Sequence, residues 1–177
     1  MNRLAALTAV VFLSALIAFA QPAEVIGKEI NDRDVEWSDF TGPVDPTSRF
    51  GAWTDWRITY SFPAPTIRNE KAYVNVTTKL FLRHNSWVKS EKRSQRLLEH
   101  EQGHFRIGRL CAREIVSTIN STAFSRENYR KEINEIYWAT INKYIEINTE
   151  YDRDTAHSND LEGQSRWNKK LAELLKD

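Results

Sequence analysis

Strand-like patterns occupy the first half of the chain. Polar and apolar residues alternate in residues 56–62, and β-branched residues are frequent in residues 73–82, so both segments are predicted to be strands. Residues 25–36 mix β-branched and charged residues and form a weaker candidate for a first strand. Residues 40–50 contain one glycine and two prolines and are predicted to be a loop. This half of the chain should therefore form antiparallel strands.

Apolar residues recur at helical spacing in the second half. The first predicted helix runs from about residue 89 to residue 119, and a second begins near Glu127 and ends before His157. Leucines and a tryptophan in residues 161–175 indicate a third helix. Because the strands precede the helices, we predict an α+β fold, with N-terminal antiparallel strands followed by three helices.

The first 20 residues have the pattern of a secretion signal. Arg3 supplies a positive charge, residues 4–19 are almost wholly apolar, and residues 18–20 have the small-x-small form of a cleavage site. The alternative is an uncleaved membrane anchor, but no strong stop-transfer flank follows. We expect a signal peptide over residues 1–20, a single domain over residues 21–177, no stable membrane insertion after cleavage, and a secreted or periplasmic protein.

Charge argues against a nucleic-acid partner. Removal of residues 1–20 takes away Arg3, one of 25 basic residues, and leaves 24 basic residues against 24 acidic ones. A general nucleic-acid binder needs an excess of positive charge on its surface. The single cysteine, Cys111, excludes an intramolecular disulfide.

The candidate chemistry lies in the first predicted helix, in the motif His100-Glu101-Gln102-Gly103-His104. Two histidines four residues apart lie on one helix face, where their ring nitrogens can bind one Zn²⁺ at roughly 2.0–2.1 Å. Glu101 lies about 100° around the helix axis, so it is better placed to take a proton from a water that the metal activates than to bind the metal. Gly103 could let another segment approach the helix closely.

A catalytic zinc ion takes three protein ligands and keeps one position open. The candidates for the third ligand are His157, Asp152 and Glu127. Glu114 is too far along the helix from His104, at about 1.5 Å per residue. His84 follows a strand in a polar turn, where surface exposure is expected.

Residues 97–107, with Ala112 and Arg113, resemble a family of bacterial exported proteins of long-unknown function, which are regarded as predicted secreted zinc-dependent proteases of the zincin superfamily. Further segments are similar to that family in the same order along the chain, namely residues 37–43, 52–60, 86–87, 151–157 and 164–167.

The resemblance implies a zincin-like fold, with His100 and His104 as zinc ligands, Glu101 as catalytic base and His157 as third ligand. This chain departs from the family pattern at Ser158, where a glycine is expected. Glycine permits a positive φ that serine resists, so the loop is expected to differ here. By analogy with zincins, the strand over residues 73–82 would be an edge strand that pairs with an extended substrate.

These features predict a secreted zinc metallopeptidase that acts on a peptide or protein substrate. Zinc would activate water, and Glu101 would serve as general base. Tyr151 is a candidate donor of a hydrogen bond to the oxyanion, and its alternative role is that of a core tyrosine. The alternative function is a catalytically inactive zincin-like binding module in the cell envelope. The presence of Glu101 favours the enzyme, because a binding module does not need that carboxylate.

Overall fold

The computed structural model describes residues 26–176, so the predicted signal peptide, residues 1–20, lies outside the described residues. The order of elements confirms the predicted α+β class, with strands in the first half and three helices in the second. The strands are β1 (Lys28–Glu29), β2 (Ala52–Trp53), β3 (Trp56–Ser61), β4 (Thr66–Arg68), β5 (Lys71–Tyr73), β6 (Thr77–Leu82), β7 (Trp87–Val88) and β8 (Phe124–Ser125). The helices are α1 (Gln95–Ser121), α2 (Tyr129–Asp154) and α3 (Leu161–Leu174).

The main sheet is antiparallel and has the order β1-β6-β3. Trp56 pairs with Leu82 and Ser61 with Thr77, so β3 and β6 match along their whole length. Strand β6 is therefore central and β3 lies at an edge, which means that the expectation of an edge strand over residues 73–82 is wrong. The predicted strand is also interrupted, because β5 ends at Tyr73 and β6 begins only at Thr77.

Two smaller antiparallel sheets were not predicted from the sequence. Strand β2 pairs with β7, and β5 joins β4 to β8, which lies between the first two helices. Their strands are two or three residues long, too short for an alternating pattern to be recognised. The predicted first strand over residues 25–36 is likewise reduced to the two residues of β1.

Side-chain caps mark the N-terminal ends of two helices, α1 and α3. The hydroxyl of Ser94 accepts a hydrogen bond from the Leu97 amide and begins α1 six residues later than predicted. Asp160 begins α3 by accepting from two backbone amides of its first turn. Helix α2 begins at Tyr129, after Asn128, whose amide donates to the Ser125 hydroxyl.

Helix α1 is the centre of the molecule, because it packs against the main sheet as well as against both other helices. Its buried face includes Phe105, Ile107, Cys111 and Ile115, which are wholly removed from solvent. Contacts between α1 and α2 pair early residues of one helix with late residues of the other, as in His104 with Asn148. The two helices are thus antiparallel, and the end of α2 returns to the start of α1. Among residues 26–176, no helix combines the length and the apolarity that a membrane span requires.

Candidate metal centre

Three side chains converge where the start of α1 meets the end of α2. The Nε2 atoms of His100 and His104 are 3.2 Å apart, and Oδ1 of Asp152 lies 3.1 Å from each of them. Within residues 26–176, these three residues are the group whose ligand atoms lie close enough together to hold one metal ion. The i, i+4 spacing puts both histidines on one helix face, as predicted, and helix packing adds the carboxylate.

Amide groups set the protonation of both imidazoles. Nδ1 of His100 contacts Oε1 of Gln164 at 3.2 Å, and Nδ1 of His104 contacts Oδ1 of Asn148 at 2.9 Å. The Gln164 amide is itself oriented, since its Nε2 donates to Tyr151 and to Asn168. Because an amide oxygen only accepts, each Nδ1 must carry the hydrogen. A neutral imidazole with its hydrogen on Nδ1 presents its Nε2 lone pair to the shared centre.

Three acceptor atoms consequently face one another with no donor between them. Such an arrangement is unfavourable unless a cation or a proton occupies the centre. A tetrahedral zinc ion bonded at roughly 2.0–2.1 Å would hold its ligand atoms about 3.3 Å apart, close to the separations seen here. Two imidazole nitrogens and one carboxylate oxygen are also ligands that zinc accepts. These three residues could therefore hold a metal ion.

The local electrostatics favour positive charge at the same point. Burial alone would lower the pKa of His104, but the hydrogen bond that its protonated ring donates to Asp152, together with the negative charges of Glu101 and Asp152, outweighs burial and raises the pKa. Burial would likewise raise the pKa of Asp152, yet its contacts with His100 and His104 hold that pKa well below its usual range. Asp152 thus remains a carboxylate that attracts a cation.

Glu101 lies beside this group with its carboxylate held in place. It is buried, lines the same cleft as the histidines, and its Oε2 accepts a hydrogen bond from the Thr54 hydroxyl at 2.6 Å. Thr54 belongs to the loop between β2 and β3, so the strand side of the molecule positions the carboxylate of α1. The structure therefore keeps Glu101 next to the candidate metal centre without making it part of the three-residue group.

Tyr151 lies beneath the histidines and does not line the cleft. Its side chain is fully buried, its ring stacks on His100 with centroids 4.8 Å apart, and its hydroxyl donates to the His100 carbonyl at 3.0 Å. A Cβ at Gly103 would collide with this hydroxyl, which confirms that Gly103 permits a close approach. The arrangement favours the core role for Tyr151, because its proton is already engaged.

His157 lies next to the three-residue group but is not part of it. Its Nδ1 is 3.2 Å from Oδ1 of Asp152, its ring packs on Phe50, and 43% of its side chain is exposed. It thus contacts the carboxylate of the candidate ligand Asp152. A role of His157 as a direct ligand stays a prediction.

A left-handed turn places His157 there. Ala156, His157 and Ser158 have φ values of 44°, 51° and 72°. Ser158 thus adopts the positive φ that serine resists, although the family pattern has a glycine at this position. Each non-glycine residue in this region costs roughly 1–2 kcal/mol, and surrounding contacts must supply that energy. Ser158 is buried, and the Asp160 amide bridges the turn by donating to the Thr155 carbonyl.

The other candidate ligands lie elsewhere. Glu127 is exposed and precedes α2, at the opposite end of that helix from Asp152. Glu114 accepts hydrogen bonds from Lys143 and Tyr144. His84 is exposed in the turn after β6, as expected.

The group opens into a cleft of about 850 Å³ between β3 and α2. Residues of the β2–β3 segment form one wall and the outer face of α2 the other, while the start of α1 contributes His100, Glu101 and His104. The candidate metal centre therefore borders an open cleft and is not enclosed as in a structural metal site.

Sequence reasoning did not assign a role to three residues of the site: Thr54, Asn148 and Gln164. Gln164 is a buried amide on α3, and Asn148 is a partly buried amide on α2, and buried amides usually have a specific partner. That signal could have marked them. Thr54 lies in a loop, and nothing in its spacing connects it with Glu101.

No curated protein and no solved structure gives a significant match to this chain. A family model does match residues 24–158, a range that contains His100, Glu101, His104 and Asp152 but ends before Gln164. The match covers most of the chain. This protein therefore belongs to the family described as bacterial protein of unknown function, DUF922.

Proposed function

We propose that this protein is a secreted zinc-dependent metallopeptidase. The observation that carries the proposal is the convergence of His100, His104 and Asp152 beside the carboxylate of Glu101, at the base of an open cleft. Three protein ligands with solvent access are typical of catalytic zinc, whereas structural zinc is usually enclosed by four ligands.

A zinc ion supplies Lewis-acid chemistry, since it polarises a carbonyl group and lets water lose a proton near pH 7. His100, His104 and Asp152 would hold the ion. Gln164 and Asn148 keep the two imidazoles in the required tautomer and orientation, as the partners of metal-bound histidines usually do.

Glu101 would act as general base and then as general acid. Its carboxylate is fixed by the Thr54 hydroxyl, so it does not need to reorient before it accepts a proton from the attacking water. It would then transfer this proton to the nitrogen of the leaving amine. The water oxygen bonds to the carbonyl carbon, the carbon–nitrogen bond breaks, and a carboxylic acid and an amine are released.

The test compares the wild-type protein with Glu101→Gln, both purified and supplied with zinc. We expect about one zinc ion per chain in both proteins, together with hydrolysis of an unfolded protein such as reduced casein by the wild type only. The loss in rate should be at least about a hundredfold, because general-base catalysis typically contributes 10²–10⁴. Zinc binding without hydrolysis would favour the binding module instead, and no zinc in the wild type would refute the metal site.

A further inference from the structure

Large apolar side chains are exposed along the cleft. Trp53, Trp138 and Ile145 are 48%, 53% and 53% exposed, and all three line it. Their exposure does not follow from packing in the core, and large apolar side chains exposed in a cleft beside polar groups usually mark a binding surface. The exposed large hydrophobic residues outside the cleft include Ile67 in β4 and Tyr73 in β5.

Two of these exposed cleft residues, Trp138 and Ile145, lie on α2 and form a row with Asp152 of the candidate metal centre. Trp138, Ile145 and Asp152 are separated by seven residues each, which is close to two helical turns and puts them on one face. At about 1.5 Å per residue, Ile145 lies roughly 10 Å and Trp138 roughly 21 Å from Asp152 along the axis. The row extends from the metal centre in one direction.

The opposite wall has the same length. Thr54 contacts Glu101 at the metal end, whereas Tyr60 packs against Tyr137 with ring centroids 4.9 Å apart. Tyr60 is six residues after Thr54, a separation of roughly 20 Å at about 3.3 Å per residue of extended chain. Two independent elements therefore bound a cleft about 20 Å long that starts at Glu101.

The walls of the cleft favour a ligand that binds through its side chains over one that pairs with the backbone of β3. The Tyr137 hydroxyl donates to the Ile58 carbonyl at 2.7 Å, so one backbone acceptor of β3 is already engaged by α2. A substrate that relied on pairing along the whole of β3 would have to displace this bond. Burial of Trp53, Trp138 and Ile145 by a ligand contributes more binding free energy than such backbone pairing, at about 25 cal/mol for each Å² of apolar surface removed from water.

We propose that the cleft binds an extended polypeptide that carries large apolar side chains about three and about six residues from the bond to be cut, on one side of that bond. These spacings are the 10 Å and 21 Å positions of Ile145 and Trp138 divided by the rise of an extended chain. The substrate is thus an apolar segment of an unfolded or flexible protein, and di- and tripeptides are poor substrates. This inference rests on the proposed peptidase function.

Cleavage sites in a mixture of peptides, mapped by mass spectrometry, test the proposal. We expect large apolar residues to be enriched near the third and sixth positions on one side of the cut. Ile145→Ala should weaken the enrichment near the third position and Trp138→Ala near the sixth, with kcat/KM for matching peptides reduced about fivefold or more. Ile67→Ala and Tyr73→Ala are matched controls, since both remove an exposed apolar side chain outside the cleft and should change neither property.

Cleavage without such enrichment would overturn the proposal and leave the peptidase function standing. If the wild type cleaves nothing, fluorescence anisotropy of labelled 12-residue peptides decides instead. Binding of a peptide with leucine at two positions three residues apart, in preference to one with serine there, and its loss in Trp138→Ala, would support the apolar cleft without peptidase activity. Equal binding of the two peptides, or none, would refute it.

Discussion

The Nε2 atom of His100 lies 3.1 Å from Oδ1 of Asp152, a residue 52 positions later in the chain. This contact joins the start of α1 to the end of α2, so the candidate metal centre exists only when the two helices are packed. Metal binding should therefore depend on the folded helix pair and stabilise it, since a ligand that binds only the native state adds to its stability.

Removal of Asp152 should abolish metal binding. We expect Asp152→Ala to lower zinc content sharply, whereas His157→Ala should retain most of it. Asp152 contacts both histidines of the group, and His157 contacts the group through Asp152. Zinc content of the folded variants, measured by plasma mass spectrometry, checks this. His84→Ala serves as a control with full zinc content. If His157→Ala loses zinc and Asp152→Ala keeps it, His157 is the third ligand.

The amide of Asn148 should tune metal affinity. Asn148→Ala removes the acceptor for Nδ1 of His104 and leaves the ring free to rotate or change tautomer. Zinc affinity should fall about tenfold to a hundredfold, as is usual for such partners. Asn148→Asp retains an acceptor at the same place and should restore affinity. Competition with a chromophoric chelator measures both, and unchanged affinity in Asn148→Ala would refute the orienting role.

Thr54 should affect the rate and not the metal. Thr54→Val removes the hydroxyl that donates to Glu101 while it keeps the shape of the side chain. We expect kcat to fall about tenfold at unchanged zinc content, because the carboxylate is then less well positioned. Thr54→Ser should recover most of the activity. Equal loss in Thr54→Ser and Thr54→Val would show that the methyl group matters instead.

Gly103→Ala tests the contact between α1 and Tyr151. In an ordinary helix this change stabilises by roughly 1 kcal/mol. Here the new methyl group would collide with the Tyr151 hydroxyl and ring, so we expect a loss of about 1–3 kcal/mol in the free energy of unfolding. Urea denaturation provides the measurement, with Ser117→Ala, an exposed change in the same helix, as control. A stabilised Gly103→Ala would contradict the close approach.

Asp39 should make stability sensitive to acid. Burial by itself would raise its pKa, but hydrogen bonds from Arg33, Lys28 and the Glu36 amide hold the pKa well below its usual value. A carboxyl group with a lowered pKa in the folded state stabilises the protein above about pH 4, and this contribution is lost as the pH falls further.

Asp39→Asn should therefore cost about 1–3 kcal/mol at pH 7, because it removes a buried charge from its cationic partners. The difference between variant and wild type should shrink as the pH falls from 5 toward 2. Thermal unfolding across this range measures the difference. A gap that is independent of pH would show that Asp39 does not contribute as a carboxylate.

Several features could be predicted because they depend on local spacing. The strand over residues 56–62, the three helices and the α+β class follow from periodicity, and each is present in the structure. The placement of His100 and His104 on one face follows from the helical repeat alone. The sequence also included Asp152 among the candidates for the third ligand, but spacing could not choose between Asp152, His157 and Glu127, and the family resemblance favoured His157.

Tertiary structure decided the rest, because contacts between distant segments depend on helix packing and on backbone turns that periodicity does not encode. The end of α2 meets the start of α1 only through the register of their packing, and that register brings in Asp152 and Asn148. The left-handed turn at residues 156–158 sets His157 beside this group although none of its residues is glycine. The sequence by itself determined that the two histidines share one helix face, with the glutamate beside them, because the helical repeat is local. Tertiary packing determined which groups surround them.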